Sequence, residues 1–219
     1  MARRNQDAQQ RRARALTLAD RYPHSREVLL FVAELAPFSG DLAALEQFVA
    51  QYGPAALRDA SPQPAGLEAA QRAYLAGYEL ESPRAFYARV LLRAKPPAAA
   101  APHANRCPSC GQPPQCGALR PESHGNALYL VCSLCSTEWT WPRDTCPHCA
   151  DARLAFHTAE QIPHLTTQSC ESCRTYFHLI DCAKEPDAIP DIDELAALPL
   201  DLWARECGLR KIHPNLAGL

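Results

Sequence analysis

The spacing of the cysteines carries most of the chemistry in this sequence. The chain has eleven cysteines, and eight of them form four CxxC pairs. Twenty-one residues separate the first pair from the second, ten separate the second from the third, and twenty separate the third from the fourth. A CxxC turn presents two thiolates on one side of a tight loop, and two facing turns make a tetrahedral four-sulfur site. The pairs are Cys107/Cys110, Cys132/Cys135, Cys146/Cys149 and Cys170/Cys173.

The two long spacers are nearly equal, so we expect an internal repeat of one module with its own metal site. A spacer of about 20 residues suits a hairpin that leads from one CxxC turn to the next. Pairing of the first turn with the third is the alternative. Four thiolates suit zinc or a single iron, and the ligand type does not separate these two metals. We therefore predict two bound metal ions, Fe or Zn, with Cys107, Cys110, Cys132 and Cys135 at the first site and Cys146, Cys149, Cys170 and Cys173 at the second.

The remaining cysteines and two of the histidines could also take part in chemistry, but we expect them to have structural roles. We expect Cys116, Cys182 and Cys207, which lie outside the pairs, to be small buried side chains. His148 and His178 are expected near the metal sites or at the surface, because four cysteines already complete each site. The sequence contains no GxSxG, P-loop, GxGxxG or HExxH motif. With every pair committed to a closed site, the prediction is a protein that is not an enzyme.

Charge and hydropathy exclude several classes of partner. Residues 103–182 contain five Arg, no Lys and seven Asp or Glu. Eight thiolates and two divalent ions would take the formal net charge of the 219-residue chain from −2 to −6. Such a module lacks the basic face that neutralises phosphates, so no nucleic-acid partner is expected. The absence of a long apolar run or an apolar leader predicts a cytoplasmic protein without membrane insertion.

The rest of the chain predicts an α+β protein. Residues 1–94 should form a helical domain, with Ser25 and Ser82 as helix N-caps and a loop over 53–65. Its basic start, with seven Arg and two Asp in residues 1–26, predicts a solvated helix face or a docking surface. Residues 95–105 form a Pro/Ala linker. The first module spans 106–142, the second spans 143–182, and 183–219 form a C-terminal helical segment with its main helix over 195–208.

A tryptophan-rich segment, Ser136 to Pro142, falls between the two modules in sequence. Its two tryptophans, Trp139 and Trp141, could fill the seam between the modules or present an anchor to a partner. As an exposed connector, the segment would offer Glu138 and Trp139 as candidate partner-binding residues.

Three runs in the cysteine-rich half resemble one known family. CPSCGQPP, YLVCSLCSTEWTWPRDTCPHC and SCESCRTYFHLID are similar to the FdhE-type accessory proteins of formate dehydrogenase, and the terminal IHPN is similar to that family's end. The resemblance covers residues 105–219 and is looser before them. The matching positions are Cys107, Cys110, Gly111, Cys132, Leu134, Cys135, Thr137, Glu138, Trp139, Cys146, Cys149, Cys170, Cys173 and Tyr176.

The resemblance implies a helical domain followed by two rubredoxin-like modules that hold iron. It implies a cytoplasmic, non-catalytic assembly factor that binds the immature catalytic subunit of a respiratory formate dehydrogenase. The chain departs from the family in a shorter helical part and in Thr140 and Trp141 after the TEW triplet. Two other functions remain open: a rubredoxin-like electron carrier or redox protein, and a zinc-ribbon adaptor for another partner.

Overall fold

A computed structural model of the protein describes residues 2–60, 62–99, 104–123 and 125–218. Helices fill the first part of the chain, and strands fill the cysteine-rich part. Among the described helices, none is both long enough and apolar enough to cross a bilayer. The helices are α1 (Ala2–Arg21), α2 (Arg26–Leu35), α3 (Leu42–Tyr52), α4 (Ala55–Arg58), α5 (Pro64–Leu75), α6 (Ser82–Ala94), α7 (Pro190–Asp193) and α8 (Leu198–Glu206), with 3-10 turns at Pro23–Ser25 and Glu194–Ala197.

Two predicted helix starts differ from the structure. Ser25 precedes α2, but its side chain makes no capping hydrogen bond. Ser82 is already the first residue of α6, so Glu81 takes the cap position, also without a side-chain bond. By contrast, the Asp41 side chain accepts a hydrogen bond from Ala44 N at 3.0 Å and caps α3. Short helix α4 and the start of α5 occupy the predicted loop over 53–65.

The cysteine-rich part forms a sheet in which each half repeats the same plan. Each half has a CxxC turn, an antiparallel hairpin, a second CxxC turn and a third antiparallel strand. The spatial order is β3-β2-β1-β6-β5-β4, with β7 also paired to β6. The strands are β1 (Pro114–Glu122), β2 (Gly125–Cys132), β3 (Glu138–Trp141), β4 (Leu154–Thr158), β5 (Leu165–Cys170), β6 (Thr175–Asp181) and β7 (Arg210–Lys211).

The two halves join through β1 and β6, which run parallel from Cys116↔His178 to Leu119↔Asp181. Gly117 lies at this seam, where a Cβ atom would come within 2.7 Å of Leu179 Cδ2. A side chain at this position would therefore crowd the leucines packed at the seam. The α+β fold with two four-cysteine modules is confirmed, whereas the predicted domain boundaries stay a prediction.

One face of the sheet packs against α1 and the C-terminal helices. Ala118 of β1 and Ile180 of β6 join Leu18 of α1 and Leu195 in one buried cluster. The opposite face carries a second cluster, which contains residues of both halves. The members of that second cluster are Leu128, Leu130, Phe177 and Leu179, with Leu119, Trp139, Trp141 and Ile212 partly buried beside them.

The basic start of the chain is not simply a solvated face. Arg11 and Arg14 of α1 are buried, and they form ion pairs with Asp191 and Asp193 of α7. Glu185 adds contacts to Arg14 at 3.1 Å and to Arg21 at 2.6 Å. A buried arginine without a carboxylate would be strongly destabilising, so these pairs fasten the two ends of the chain together. For Arg11 and Arg14 the predicted exposure is therefore wrong.

Candidate metal centres

The first four-cysteine cluster lies between the start of β1 and the start of β3. Its four Sγ atoms all lie within 4.8 Å of one another. Cys107 Sγ is 3.5 Å from Cys135 Sγ, and Cys110 Sγ is 3.4 Å from Cys132 Sγ and 3.5 Å from Cys135 Sγ. Three of the four side chains are buried, and Cys135 is half-buried.

The second cluster repeats this arrangement at the other half of the sheet. Cys146 Sγ is 3.8 Å from Cys173 Sγ, and Cys149 Sγ is 3.6 Å from Cys170 Sγ. All four Sγ atoms again lie within 4.8 Å of one another. The pairing is first turn with second and third turn with fourth, and the cross-braced alternative does not occur. Cys149 is exposed, so this cluster is open to solvent on one side.

All four CxxC turns share a local backbone geometry. The residue after the second cysteine has a positive φ, between 56° and 74°, at Gly111, Ser136, Ala150 and Arg174. The N–H of that residue donates to the carbonyl of the first cysteine, at 2.9 to 3.3 Å. Left-handed backbone favours glycine, yet glycine stands at only one of these four positions. The turns therefore hold three ordinary residues in a conformation that costs about 1 kcal/mol or more each.

Backbone amides and hydroxyls point at the sulfurs. Ser109 N, Leu134 N and His148 N each lie 3.4 Å from the Sγ of the first cysteine in their turn. Thr137 Oγ1 lies 3.2 Å from Cys135 Sγ, and the equivalent Thr175 Oγ1 lies 3.0 Å from Cys173 Sγ. The three backbone N–H groups donate to sulfur and stabilise negative charge on it.

These distances fit a tetrahedral metal site. Metal–sulfur bonds of about 2.3 Å in a tetrahedron place the sulfurs about 3.8 Å apart. The closest Sγ–Sγ separations in both clusters, 3.4 to 3.8 Å, lie near that value. All eleven cysteines are free thiols, so no disulfide competes for these sulfurs. The donor set and its geometry therefore suit a divalent zinc or iron ion at each cluster.

Polar contacts of Asp191 link the second turn of the first cluster to the helices. Ser136 follows Cys135, and its hydroxyl donates to Asp191 Oδ2 at 2.9 Å. Arg93 of α6 reaches the same oxygen at 3.2 Å. Burial alone raises the pKa of Asp191, but the charges of Arg11 and Arg93 hold that pKa well below its usual range. The carboxylate therefore stays ionised beside the second turn of the cluster.

Sequence reasoning missed a buried polar network around His178. His178 is fully buried, and its Nε2 lies 2.8 Å from Asp201 Oδ1, while Tyr176 donates to the same oxygen at 2.9 Å. Lys211 Nζ contacts Glu194 and lies 2.8 Å from Asp201 Oδ1. His178, Glu194 and Asp201 lie close enough together to suggest a third metal site. The Lys211 ammonium already lies between the two carboxylates, which argues against a metal ion there. The only sequence signal was the run of charged residues after the last cysteine turn.

The remaining predictions about cysteine and histidine are partly right. Cys116 and Cys182 are buried as expected, whereas Cys207 is exposed because it follows the last turn of α8. His148 is exposed within the third turn, as predicted. The expectation for His178 is wrong, because β6 is covered on both faces and its side chain is held inside the network.

Glu138 and Trp139 lie in β3, an edge strand, and not in a connector between the halves. Glu138 is half-buried and accepts hydrogen bonds from Arg120, at 2.7 Å from Nε. Trp139 packs partly against the first cysteine cluster and partly against the cluster shared by both halves. The segment differs from the expected exposed connector because its backbone pairs with β2, from Leu128↔Trp141 to Val131↔Glu138.

Fold and site together define a class of protein with a helical N-terminal part and two four-cysteine modules that share one sheet. Family models match both modules in order. The model described as "FdhE, central domain" matches residues 106–143, and the one described as "FdhE, C-terminal domain" matches residues 145–217. Together they cover about half of the chain, and the chain belongs to the FdhE family.

Curated relatives and a solved structure agree with this assignment. A "Protein FdhE homolog" from Aquifex aeolicus (strain VF5) is 34% identical over 118 residues, which are 52% of this chain and 42% of the relative. One from Pseudomonas aeruginosa is 35% identical over 120 residues, 50% of this chain and 38% of the relative. The matched part thus spans less than half the length of these relatives.

The crystal structure of the FdhE protein from Pseudomonas aeruginosa shares the fold, with a TM-score of 0.68 at 24% identity, over 96% of this chain and 94% of that chain.

Proposed function

We propose that this protein is a cytoplasmic, non-enzymatic accessory factor that assists the assembly of a respiratory formate dehydrogenase. In this proposal it binds the immature catalytic subunit through a surface that two metal ions stabilise. The observation that carries the proposal is the pair of four-cysteine clusters within the two segments that match the FdhE family. Closed four-sulfur sites stabilise a fold and leave no open metal position for a substrate.

The metal ions would stabilise the four CxxC turns and the strand ends next to them. Site 1 would use Cys107, Cys110, Cys132 and Cys135, and site 2 would use Cys146, Cys149, Cys170 and Cys173. Metal binding to four thiolates contributes folding free energy on the order of 10 kcal/mol per site. The client surface would therefore form only in the metal-bound protein.

Strand β3 supports Glu138 and Trp139 as partner-binding residues in this proposal. Its equivalent in the second half, β6, has β1 paired along its outer edge. Among the described residues, no strand pairs with the outer edge of β3. An open edge next to a half-buried tryptophan offers backbone hydrogen bonds and an aromatic contact to a client.

Co-purification of the tagged full chain with a formate dehydrogenase catalytic subunit tests the proposal. The metal-loaded chain should capture the immature subunit, and Glu138→Gln should reduce the yield of the complex. Glu160→Gln, an exposed glutamate in the second half and outside the CxxC turns, is the control and should leave the yield unchanged. Capture that does not differ between metal-loaded and metal-free protein would argue against a metal-stabilised client surface.

The exposed Cys149 supports a second candidate, a rubredoxin-like redox protein. A solvent-facing sulfur at site 2 would give a bound iron a short route to an electron-transfer partner. Analysis of the metal in anaerobically purified protein separates the candidates, because zinc at both sites excludes a redox role.

A further inference from the structure

A cavity of about 500 Å³ lies outside both cysteine clusters. It opens between the helical part, the first and third CxxC turns and the C-terminal segment. Tyr74 and Phe86 give it an aromatic wall, and Arg89 of α6 lies in its lining. The other charged or ionisable groups in the lining are Tyr78, Glu79, Arg106, His148, Tyr176, Arg205, Arg210, Lys211 and His213.

Arg89 is a buried cation without a carboxylate partner among the described residues. Its side chain is almost fully buried, with 4% of its surface exposed. It donates to Ser133 O at 2.9 Å, to Pro214 O at 3.1 Å and to the Gln115 side-chain oxygen, all of which are neutral. A buried charge with neutral partners alone is costly, so an anion from the cavity would relieve the cost.

Three further arginines lie in the exposed part of the same lining. Arg106, Arg205 and Arg210 form no ion pair with any residue that the structure describes, and all three are exposed. Lys211 is different, because Glu194 and Asp201 already balance its charge. Glu79 is the one acidic side chain in the lining as described. The cavity therefore has an excess of positive charge.

His213 adds no positive charge to the lining. It lies in the cavity lining, where burial first, and then the charges of Arg89 and Lys211, hold its pKa well below the usual value. Arg106 contributes in the same direction. The imidazole is therefore neutral at pH 7, and the four arginines supply the positive charge that an incoming ligand meets.

We propose that this cavity binds a small oxyanion, a molecule with two or more negative charges on phosphate or carboxylate groups. Planar guanidinium groups form paired hydrogen bonds with such oxyanions, which fits Arg89 at the buried end and three arginines at the exposed end. A volume of about 500 Å³ exceeds that of a bare inorganic ion and lies within the range of small-molecule sites. The site borders the first and third CxxC turns but includes none of the eight cysteines, and it does not depend on the proposed client.

Isothermal titration calorimetry of the full chain as purified tests this site, with pyrophosphate and citrate as probes and chloride at equal ionic strength as the blank. We expect saturable one-to-one binding of at least one probe, with a Kd below about 1 mM. Arg106→Gln combined with Arg210→Gln should weaken binding by about tenfold or more. Arg12→Gln combined with Arg58→Gln removes the same charge from residues outside the cavity lining and should leave binding unchanged.

The two probes identify the source of the anion. Binding of pyrophosphate alone indicates a phosphorylated ligand, and binding of citrate alone indicates a polycarboxylate. Absence of saturable binding by both would overturn the proposal, as would equal weakening by the control pair. If the double variant does not fold, Arg106→Gln and Arg210→Gln are measured singly, and each should weaken binding on its own.

Discussion

Cys116 of the first half and His178 of the second are direct neighbours in the parallel strands β1 and β6. Cys116 is not a member of either cysteine cluster, and His178 belongs to the buried network with Asp201. This pair marks the place where the two repeats become a single sheet. Changes at the seam should therefore affect both halves at once.

Gly117→Ala tests the seam. The new Cβ would meet Leu179 Cδ2 at 2.7 Å and Leu128 Cδ1 at 2.8 Å, so these packed side chains or the strands that carry them must shift. We expect a loss of about 1–3 kcal/mol in the free energy of unfolding, measured by urea denaturation. Gly66→Ala in α5 is the control, since only Pro62 Cβ, at 4.0 Å, lies near the added methyl group. An unchanged stability of Gly117→Ala would contradict the close packing of β1 on β6.

Ala150→Gly tests the strain in the CxxC turns. Ala150 follows Cys149 with a φ of 62° and is exposed, so glycine removes backbone strain without removing a contact. We expect a gain of about 0.5–1 kcal/mol in the free energy of unfolding of the metal-bound protein. Ala152→Gly, at a nearby exposed residue without a positive φ, should lower stability instead. A loss of stability in both variants would show that the turn is not strained.

The repeat and the helical start could be predicted from the sequence, because both depend on local patterns. Four CxxC turns at regular spacing indicate two modules, and Ala, Arg and Gln over residues 5–21 favour a helix. The parallel β1–β6 seam could not be predicted, because both strands belong to modules that each look complete. The pairs of Arg11 with Asp191 and of Arg14 with Asp193 join residues 180 and 179 positions apart, and no local pattern marks them. The place of Trp139 in an edge strand, and not in a connector, could not be predicted for a related reason, since the pairing of β3 with β2 decides it.

Asp191→Asn tests the buried ion pairs between the chain ends. The variant leaves Arg11 buried without its carboxylate, so we expect a loss of about 3 kcal/mol in the free energy of unfolding at pH 7. The pKa of Asp191 is lower in the folded protein than in the unfolded chain. The ionised Asp191 carboxylate therefore makes its full contribution to the free energy of unfolding above about pH 4, and this contribution declines as the pH falls below that value.

The test compares the free energies of unfolding of the parent and of Asp191→Asn at each pH, because thiolate protonation at low pH affects both proteins alike. The difference between these two free energies should narrow below about pH 4. Asp187→Asn, at an exposed position in the same segment, should match the parent at every pH. A difference that stays constant down to pH 2 would show that the Asp191 carboxylate is not stabilised by its partners.

The two clusters should differ in how fast they lose metal. Cys149 is exposed at the second cluster, whereas three of the four cysteines of the first are buried. A chelator therefore reaches the second site more easily. Cys110→Ser leaves only the second complete cluster and should release metal several times faster than Cys149→Ser, which leaves only the first. The rate is followed with a colorimetric chelator, and equal rates would contradict the difference in exposure.

The metal content of anaerobically purified protein tests the central claim most directly. Elemental analysis should find two atoms of iron or zinc per chain, because the eight sulfurs form two complete clusters. Cys107→Ser with Cys110→Ser should reduce the content to one, and Cys146→Ser with Cys149→Ser should do the same. A parent chain with fewer than two atoms, or a double variant that keeps both, would contradict two independent four-cysteine sites.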